Sequence, residues 1–214
     1  MNKLKTLAIA IFLSTLTSVG YADWSAGVNL GGIAMKSVKG QETTNPSKSR
    51  SEDLEALYGS LFVEKNLGAV TLGLDVIPYN IESETVTRSD DQSTVDTGTT
   101  TVQADIEMHS TLYALINLGD TPAYVKVGAS YANIATNETM GATNSKYPDA
   151  DMWGGHVSLG AQFEVNEIFV RAEAGFSQYE DIDVSSSGGD GEANKVTVSG
   201  LDGPHARISI GKTF

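Results

Sequence analysis

The sequence has no cysteine, so disulfides, thiolate metal sites and thiol catalysis are excluded together. Five prolines and 22 glycines in 214 residues are too few and too scattered for a collagen-like or low-complexity chain. Basic residues are scarce, with 14 lysines and arginines against 27 aspartates and glutamates, a formal charge of −13. Phosphate neutralisation therefore cannot drive binding, and no nucleic-acid partner is expected. Long apolar runs are missing too. The longest, around Leu7 to Leu13, falls short of the roughly 18 residues a spanning helix needs.

That run belongs to a leader. Lys3 and Lys5 precede it, and the small residues Gly20 and Ala22 bracket Tyr21 after it. The pattern predicts a secretory signal peptide over residues 1–22 and a mature chain over 23–214, with the formal charge moving from −13 to −15 when the two lysines leave. An exported chain without a helical span can cross a membrane only with strands.

Strand signals fill the mature chain. In WSAGVNLGGIAM, Trp24, Ala26, Val28 and Leu30 alternate with Ser25, Gly27, Asn29 and Gly31. LEALYGSLFVEK sets Leu57, Leu61 and Val63 against Tyr58, Ser60 and Glu64, with Phe62 on the polar side as an exception. AVTLGLDVIPY, HSTLYALINLG with Leu115 as a second exception, Tyr124 to Tyr131, WGGHVSLGAQFEV, Val170 to Ser177 and RISIGKTF repeat the period of two. Alternation without a helical period predicts an antiparallel meander of eight strands.

The connections alternate as well. Asn66 to Gly68, Gly119 to Pro122 and Asn166-Glu167 are short turns, whereas Lys36 to Asp53, Glu82 to Val102, Thr136 to Asp151 and Asp181 to Gly200 are long and hydrophilic. Short links at one end and long links at the other are the asymmetry of a transmembrane barrel with periplasmic turns and extracellular loops. A soluble secreted barrel, apolar inside, is the alternative. The polar face decides between them: it is mostly Gly, Ser, Thr, Asn and Gln, which suits a crowded lumen, while the other face carries almost no charge, as lipid demands. Trp24, Met35, Tyr79, Trp153, Phe163 and Phe169 near the run ends read as interfacial girdles.

The leader, eight runs, turn asymmetry and terminal Phe214 resemble the small outer-membrane β-barrels of Gram-negative bacteria, the OmpA-transmembrane, OmpX-like and opacity-protein group. The resemblance implies an all-β, eight-stranded antiparallel up-and-down barrel in the outer membrane. It implies outer-membrane lipids and lipopolysaccharide as surroundings, and an unknown ligand for the extracellular loops. It further implies that Phe214, Ile210 and Ile208 are read by the barrel-assembly machinery. Lys212 departs from the apolar alternation, and its stem is expected to snorkel so that the amine reaches the periplasmic interface.

Charged residues on the lumen face must pair or hydrogen-bond. The expected network is Asp75, Lys126, His156, Glu164, Arg171, Glu173 and Arg207, with both arginines paired to Glu173 and Asp75. Its rearrangement would open a minor ion or small-solute pore. No enzyme activity, cofactor or metal is expected. Two alternatives are carried forward. His156 and Ser158, two apart on one strand face, with Glu173 nearby, are similar to the His-x-Ser pair of a lipid A deacylase of this barrel class, although they point into the lumen. Asp181, Asp183, Ser185 and Glu192 fall at positions 1, 3, 5 and 12 of a calcium-loop spacing, with Ser186 where the loop needs glycine. The acidic loops, Glu82 to Asp105 above all, are otherwise expected to serve surface contacts, with divalent cations as bridges to an anionic leaflet.

Overall fold

A computed structural model of the protein describes residues 23–42, 49–83, 85–90, 98–139, 146–187 and 195–214. The expected signal peptide lies outside the described residues, as does Glu192. The strands are β1 (Trp24–Glu42), β2 (Ser49–Asn66), β3 (Val70–Ile77), β4 (Ile81–Glu82), β5 (Val86–Asp90), β6 (Gly98–Asn117), β7 (Ala123–Thr139), β8 (Ala150–Val165), β9 (Ile168–Tyr179), β10 (Ile182–Ser185), β11 (Lys195–Ser199) and β12 (Asp202–Thr213). Every pairing is antiparallel. The ring runs β1, β2, β3, β6, β7, β8, β9, β12 and closes on β1 through both the β1–β2 and β1–β12 ladders.

The terminus takes part in closure: the Phe214 N–H donates to the Trp24 carbonyl at 2.8 Å. The short turns follow their chemistry. Gly68 (φ 92°), Gly119 (φ 64°) and Asn166 (φ 59°) supply the left-handed residues, and the Gly68 N–H donates to Asn66 Oδ1 at 2.8 Å.

Much of what reads as long loop in the sequence is strand. β1 continues to Glu42, β6 begins at Gly98, β7 continues to Thr139, and β10 and β11 form a hairpin that adds to β1. The reason is that a ladder needs backbone partners, not alternating hydropathy. Beyond the membrane the outer face no longer has to be apolar, so the strands extend without the strict alternation of the spans. β6, at 20 residues, would rise on the order of 50 Å against an apolar band of about 25 Å, so roughly half of it stands above the membrane. The barrel therefore carries a β-crown.

The two faces differ as lipid and lumen require. Leu57 is 83% exposed and Leu112 66%, whereas Glu64 is 1% and Asp75 2% exposed. A soluble barrel would invert this, and the secreted-barrel alternative is set aside. Phe62 and Leu115, the exceptions to alternation, keep the register and are buried inside. So is Phe169, which is not a girdle residue: it faces inward in register with Gly211. Met35 packs inward on an apolar cluster, and half-buried Tyr79 accepts a hydrogen bond from the Gly59 N–H at 2.5 Å; neither is a plain girdle residue. Trp24, Trp153 and Phe163 are exposed.

Lumen packing follows one steric rule. Tyr58, Phe62, Tyr113, Tyr124, Phe169 and Tyr179 each lay a ring over a glycine of a neighbouring strand, respectively Gly31, Gly27, Gly73, Gly160, Gly211 and Gly154. A β-carbon at any of these glycines would lie 2.3 to 2.7 Å from a ring carbon. The glycines make room, and the rings restore the packing a glycine forfeits in a strand. At the outer end the lumen turns apolar: Val38, Ala132, Met152 and Leu201 are buried together, with Met35, Ile106, Ile134 and Val198 against them.

Candidate functional site

The lumen is filled from the periplasmic end upward by two linked ion-pair groups. In the lower one, Arg171 of β9 forks onto Glu64 of β2, with Nη1 to Oε1 2.5 Å and Nη2 to Oε2 2.7 Å. Tyr113 donates its hydroxyl to the same carboxylate at 2.6 Å, Arg171 Nε donates to Gln162 at 2.6 Å, and the guanidinium lies 4.3 Å from the Phe169 ring centroid. All three guanidinium nitrogens and both carboxylate oxygens have a partner, which is the condition under which a buried charge is tolerated.

Above it, Glu173 accepts from Lys126 Nζ at 3.2 Å and from the Tyr124 hydroxyl at 3.0 Å, and it lies 3.3 Å from Arg207 Nε. That last contact is an ion pair without hydrogen-bond alignment, and Arg207 Nε has no aligned partner among the described residues. Arg207 Nη1 reaches Asp75 at 3.2 Å, and Asp75 also accepts from Ser60 at 2.9 Å and from Asn29 Nδ2. Lys126 Nζ lies 4.1 Å from the centroid of the Tyr113 ring and so links the groups, in which Lys126, Arg171 and Arg207 balance Glu64, Asp75 and Glu173 in formal charge.

The structure brings Asp75, Lys126, Glu173 and Arg207 together and joins Arg171 to them through the lower group. Three expectations are corrected. Arg171 pairs with Glu64, not with Glu173 or Asp75, because the β8–β9 and β1–β2 ladders hold both residues near the periplasmic end. Glu164 is exposed and makes no ion pair among the described residues; it faces the lumen one step before the Asn166 turn, where the mouth is open to water. His156 and Ser158 do not pair: the Ser158 hydroxyl hydrogen-bonds to His205 Nε2 at 2.8 Å, and His205 Nδ1 is held by Ser177 at 2.8 Å. The His156 ring meets His205 edge-on at 5.7 Å, and its Nε2 has no partner among the described residues.

Glu64, Tyr113, Tyr124, Asn29, Ser60 and His205 are the network members sequence reasoning missed. Each lies at lumen parity in its run, so the alternation itself was the usable signal.

The calcium spacing does not make a loop. Asp183 and Ser185 lie in β10, which pairs with β11, and an extended strand cannot wrap its alternate side chains around an ion. Asp183 instead accepts from Thr197 at 2.5 Å and from Lys195 at 3.0 Å; the Thr197 bond first, then Lys195, hold its carboxyl below the usual range. Asp181 is exposed, and among the described residues no group of three or more metal-ligating side chains converges.

At the closing strand, Ile208 and Ile210 are exposed on the outer face, and Lys212 Nζ lies 3.3 Å from Glu167 in the periplasmic turn and 5.4 Å from the Phe214 ring centroid. The amine has reached the interface, as snorkelling requires.

No protein-family model and no curated protein sequence matches the chain. Solved structures do. The outer membrane protein OprG of Pseudomonas aeruginosa is similar over 90% of this chain and 96% of its own, at 14% identity and a TM-score of 0.51. The outer membrane protein AlkL, determined in lipid bilayers, is similar over 92% and 93%, at 14% identity and TM-score 0.48. Neisserial surface protein A is similar over 89% and 97%, at 6% identity and TM-score 0.40. The chain has the fold of a small outer-membrane β-barrel. With an apolar exterior and its buried charges inside, it is an integral protein of the bacterial outer membrane.

Proposed function

We propose that the protein is a non-enzymatic, non-conducting barrel whose working part is the β-crown on the cell surface. The observation that carries this reading is strand length: β1, β2, β6 and β7 run 17 to 20 residues, about twice what a tilted span needs, while the lumen below is filled with paired charges and rings. A stiff sheet above a sealed barrel suits contact with partners outside the cell. The acidic crown segments, with exposed Glu82, Glu107 and Asp149, favour cationic partners or divalent-cation bridges. A lipid A deacylase reading is not supported by the placement of Ser158, which is 3% exposed, faces the lumen and is bonded to His205.

The test has two arms. In planar bilayers wild type should pass no measurable current, and steady conductance would overturn the sealed barrel. On cells, a variant with β10 to β11 replaced by a short turn should still show a heat-dependent gel shift while adhesion of expressing cells falls. Unchanged adhesion would remove the crown from the function.

A second reading has its own observation. β3 stops at Ile77 before Pro78, so the β2–β3 ladder ends at Leu61–Val76, and among the described residues no strand pairs with β2 on that side above it. The Tyr79 hydroxyl occupies the seam by accepting from Gly59. With the apolar cluster at the outer lumen, this seam favours passage of small apolar solutes sideways into the membrane; uptake of an apolar dye that is unchanged by Tyr79→Ala would exclude it.

A further inference from the structure

On the outer wall of the barrel an exposed carboxylate, Asp151, stands just outward of an aromatic pair. β7 and β8 pair Tyr131 with Trp153 and, one step outward on the same face, Asn133 with Asp151. The two rings pack at 5.0 Å with a 58° tilt, and Trp153 is 57% exposed. The Tyr131 hydroxyl donates to Asp151 Oδ1 at 2.6 Å and Asn133 Nδ2 donates to the same oxygen at 3.2 Å, while no bond to Oδ2 is present among the described residues. The Trp153 backbone is itself pinned by its N–H to Glu180 at 3.0 Å.

One step inward lie Ala129 and Gly155, a shallow floor almost without side chains. Below that the wall is apolar again, with Val127, Val157 and Phe176 exposed.

An aromatic girdle accounts for Trp153 and Tyr131 but not for Asp151. Just outward of a girdle a carboxylate stands at headgroup height, where polar headgroup atoms can meet it. Its acceptor oxygen, the amide oxygen of Asn133 and an exposed indole face together match a saccharide: hydroxyls donate to the oxygens, and the apolar face of the sugar ring lies on the indole. Phosphate is disfavoured, since it would meet a carboxylate.

We infer that Tyr131, Asn133, Asp151 and Trp153 form a docking site for the uncharged saccharide headgroup of an outer-leaflet glycolipid, whose acyl chain lies over Ala129 and Gly155. The ordering of the surfaces is the argument for a lipid over a free sugar. The hydroxyl acceptors stand directly above an apolar trough, at the height where a headgroup joins its chain.

The experiment uses Trp153 as reporter. The chain has two tryptophans, and Trp24→Phe leaves Trp153 alone at the outer interface. The full-length variant is placed in phosphatidylcholine vesicles and titrated with a diglucosyl diacylglycerol. The expected result is a saturating change in emission, with half-saturation raised about tenfold by Asp151→Ala or Asn133→Ala, the loss of one good hydrogen bond. Diacylglycerol without sugar should give no change. Stronger quenching by a brominated form of the glycolipid than by brominated phosphatidylcholine should appear without any further substitution, so the outcome does not hang on whether the alanine variants fold. Equal quenching by both brominated lipids, or an Asp151→Ala titration that overlays its parent, overturns the site. A full response to free disaccharide alone overturns the lipid source.

Discussion

Glu64 is the residue on which the lumen can be tested most sharply. It is 1% exposed, takes both prongs of the Arg171 guanidinium and accepts from Tyr113. Glu64→Ala leaves Arg171 buried without its counter-ion, which costs about 3 to 5 kcal/mol, and strands the Tyr113 hydroxyl for about 1 kcal/mol more. Against a total stability on the order of 5 to 15 kcal/mol, that is a large fraction. Replacing both partners, Glu64→Leu with Arg171→Met, removes charge and counter-charge together, and the methionine can keep the contact with Phe169. The double variant should lie within about 2 kcal/mol of wild type, because a buried ion pair exchanged for packed apolar side chains is near neutral while Tyr113 and Gln162 each lose a partner. Glu64→Gln, which keeps volume and an acceptor, should fall between. The assay is urea unfolding in lipid vesicles followed by tryptophan emission, with all four corners of the cycle measured. A Glu64→Ala barrel as stable as wild type within about 1 kcal/mol would refute the assignment, and so would a double variant that loses the sum of its two single losses.

Gly73→Ala would drive a β-carbon to 2.3 Å from the Tyr113 ring and should cost about 1 to 3 kcal/mol by the same unfolding assay, with Tyr113→Leu relieving it. Deleting Phe214 should lower the membrane-inserted fraction, read by heat-dependent gel mobility, more than Lys212→Tyr does, since the former removes the backbone bond to Trp24 and the latter only a surface pair. The β10–β11 hairpin should lose hydrogen-exchange protection in acid. Asp183 has its carboxyl pKa depressed in the folded state, so its contribution is present above the ordinary value near about 4 and lost as pH falls through the folded one. After correction for intrinsic exchange, protection should be level from pH 7 to about 5 and drop below about 4, and Asp183→Asn should remove that drop.

The barrel was legible because lipid outside and a narrow lumen inside impose one period on every strand. That constraint was strong enough to carry Phe62 and Leu115 through their exceptions: each stayed at lumen parity and was absorbed as a ring or side chain inside. The crown was not legible, since with water instead of lipid on the outer face β1, β6 and β7 extend without the strict alternation of the spans. Pairings were only half legible. Parity says which charges face inward, but not which meet across the lumen, and Glu64 lies 107 residues from Arg171 in the chain. Glu64 stands on the polar face of its run, yet nothing in the run names Arg171 as its partner, and its neighbour Lys65 turns to Asp23 at 3.3 Å. Glu164 shows the opposite error, since parity alone cannot tell a lumen position from its flooded mouth.

The two devices that fill the lumen depend on each other. Rings laid over glycines bring neighbouring strands' side chains close enough to exclude water, and exclusion of water is what makes the ion pairs strong and their separation costly. Conversely, the pairs hold Tyr113 and Tyr124 by their hydroxyls, at Glu64 and Glu173, so the rings cannot turn away from Gly73 and Gly160. Opening an axial path would require several of these charges and rings to let go together. A barrel built this way is a densely tied base beneath strands nearly twice the height of an apolar band.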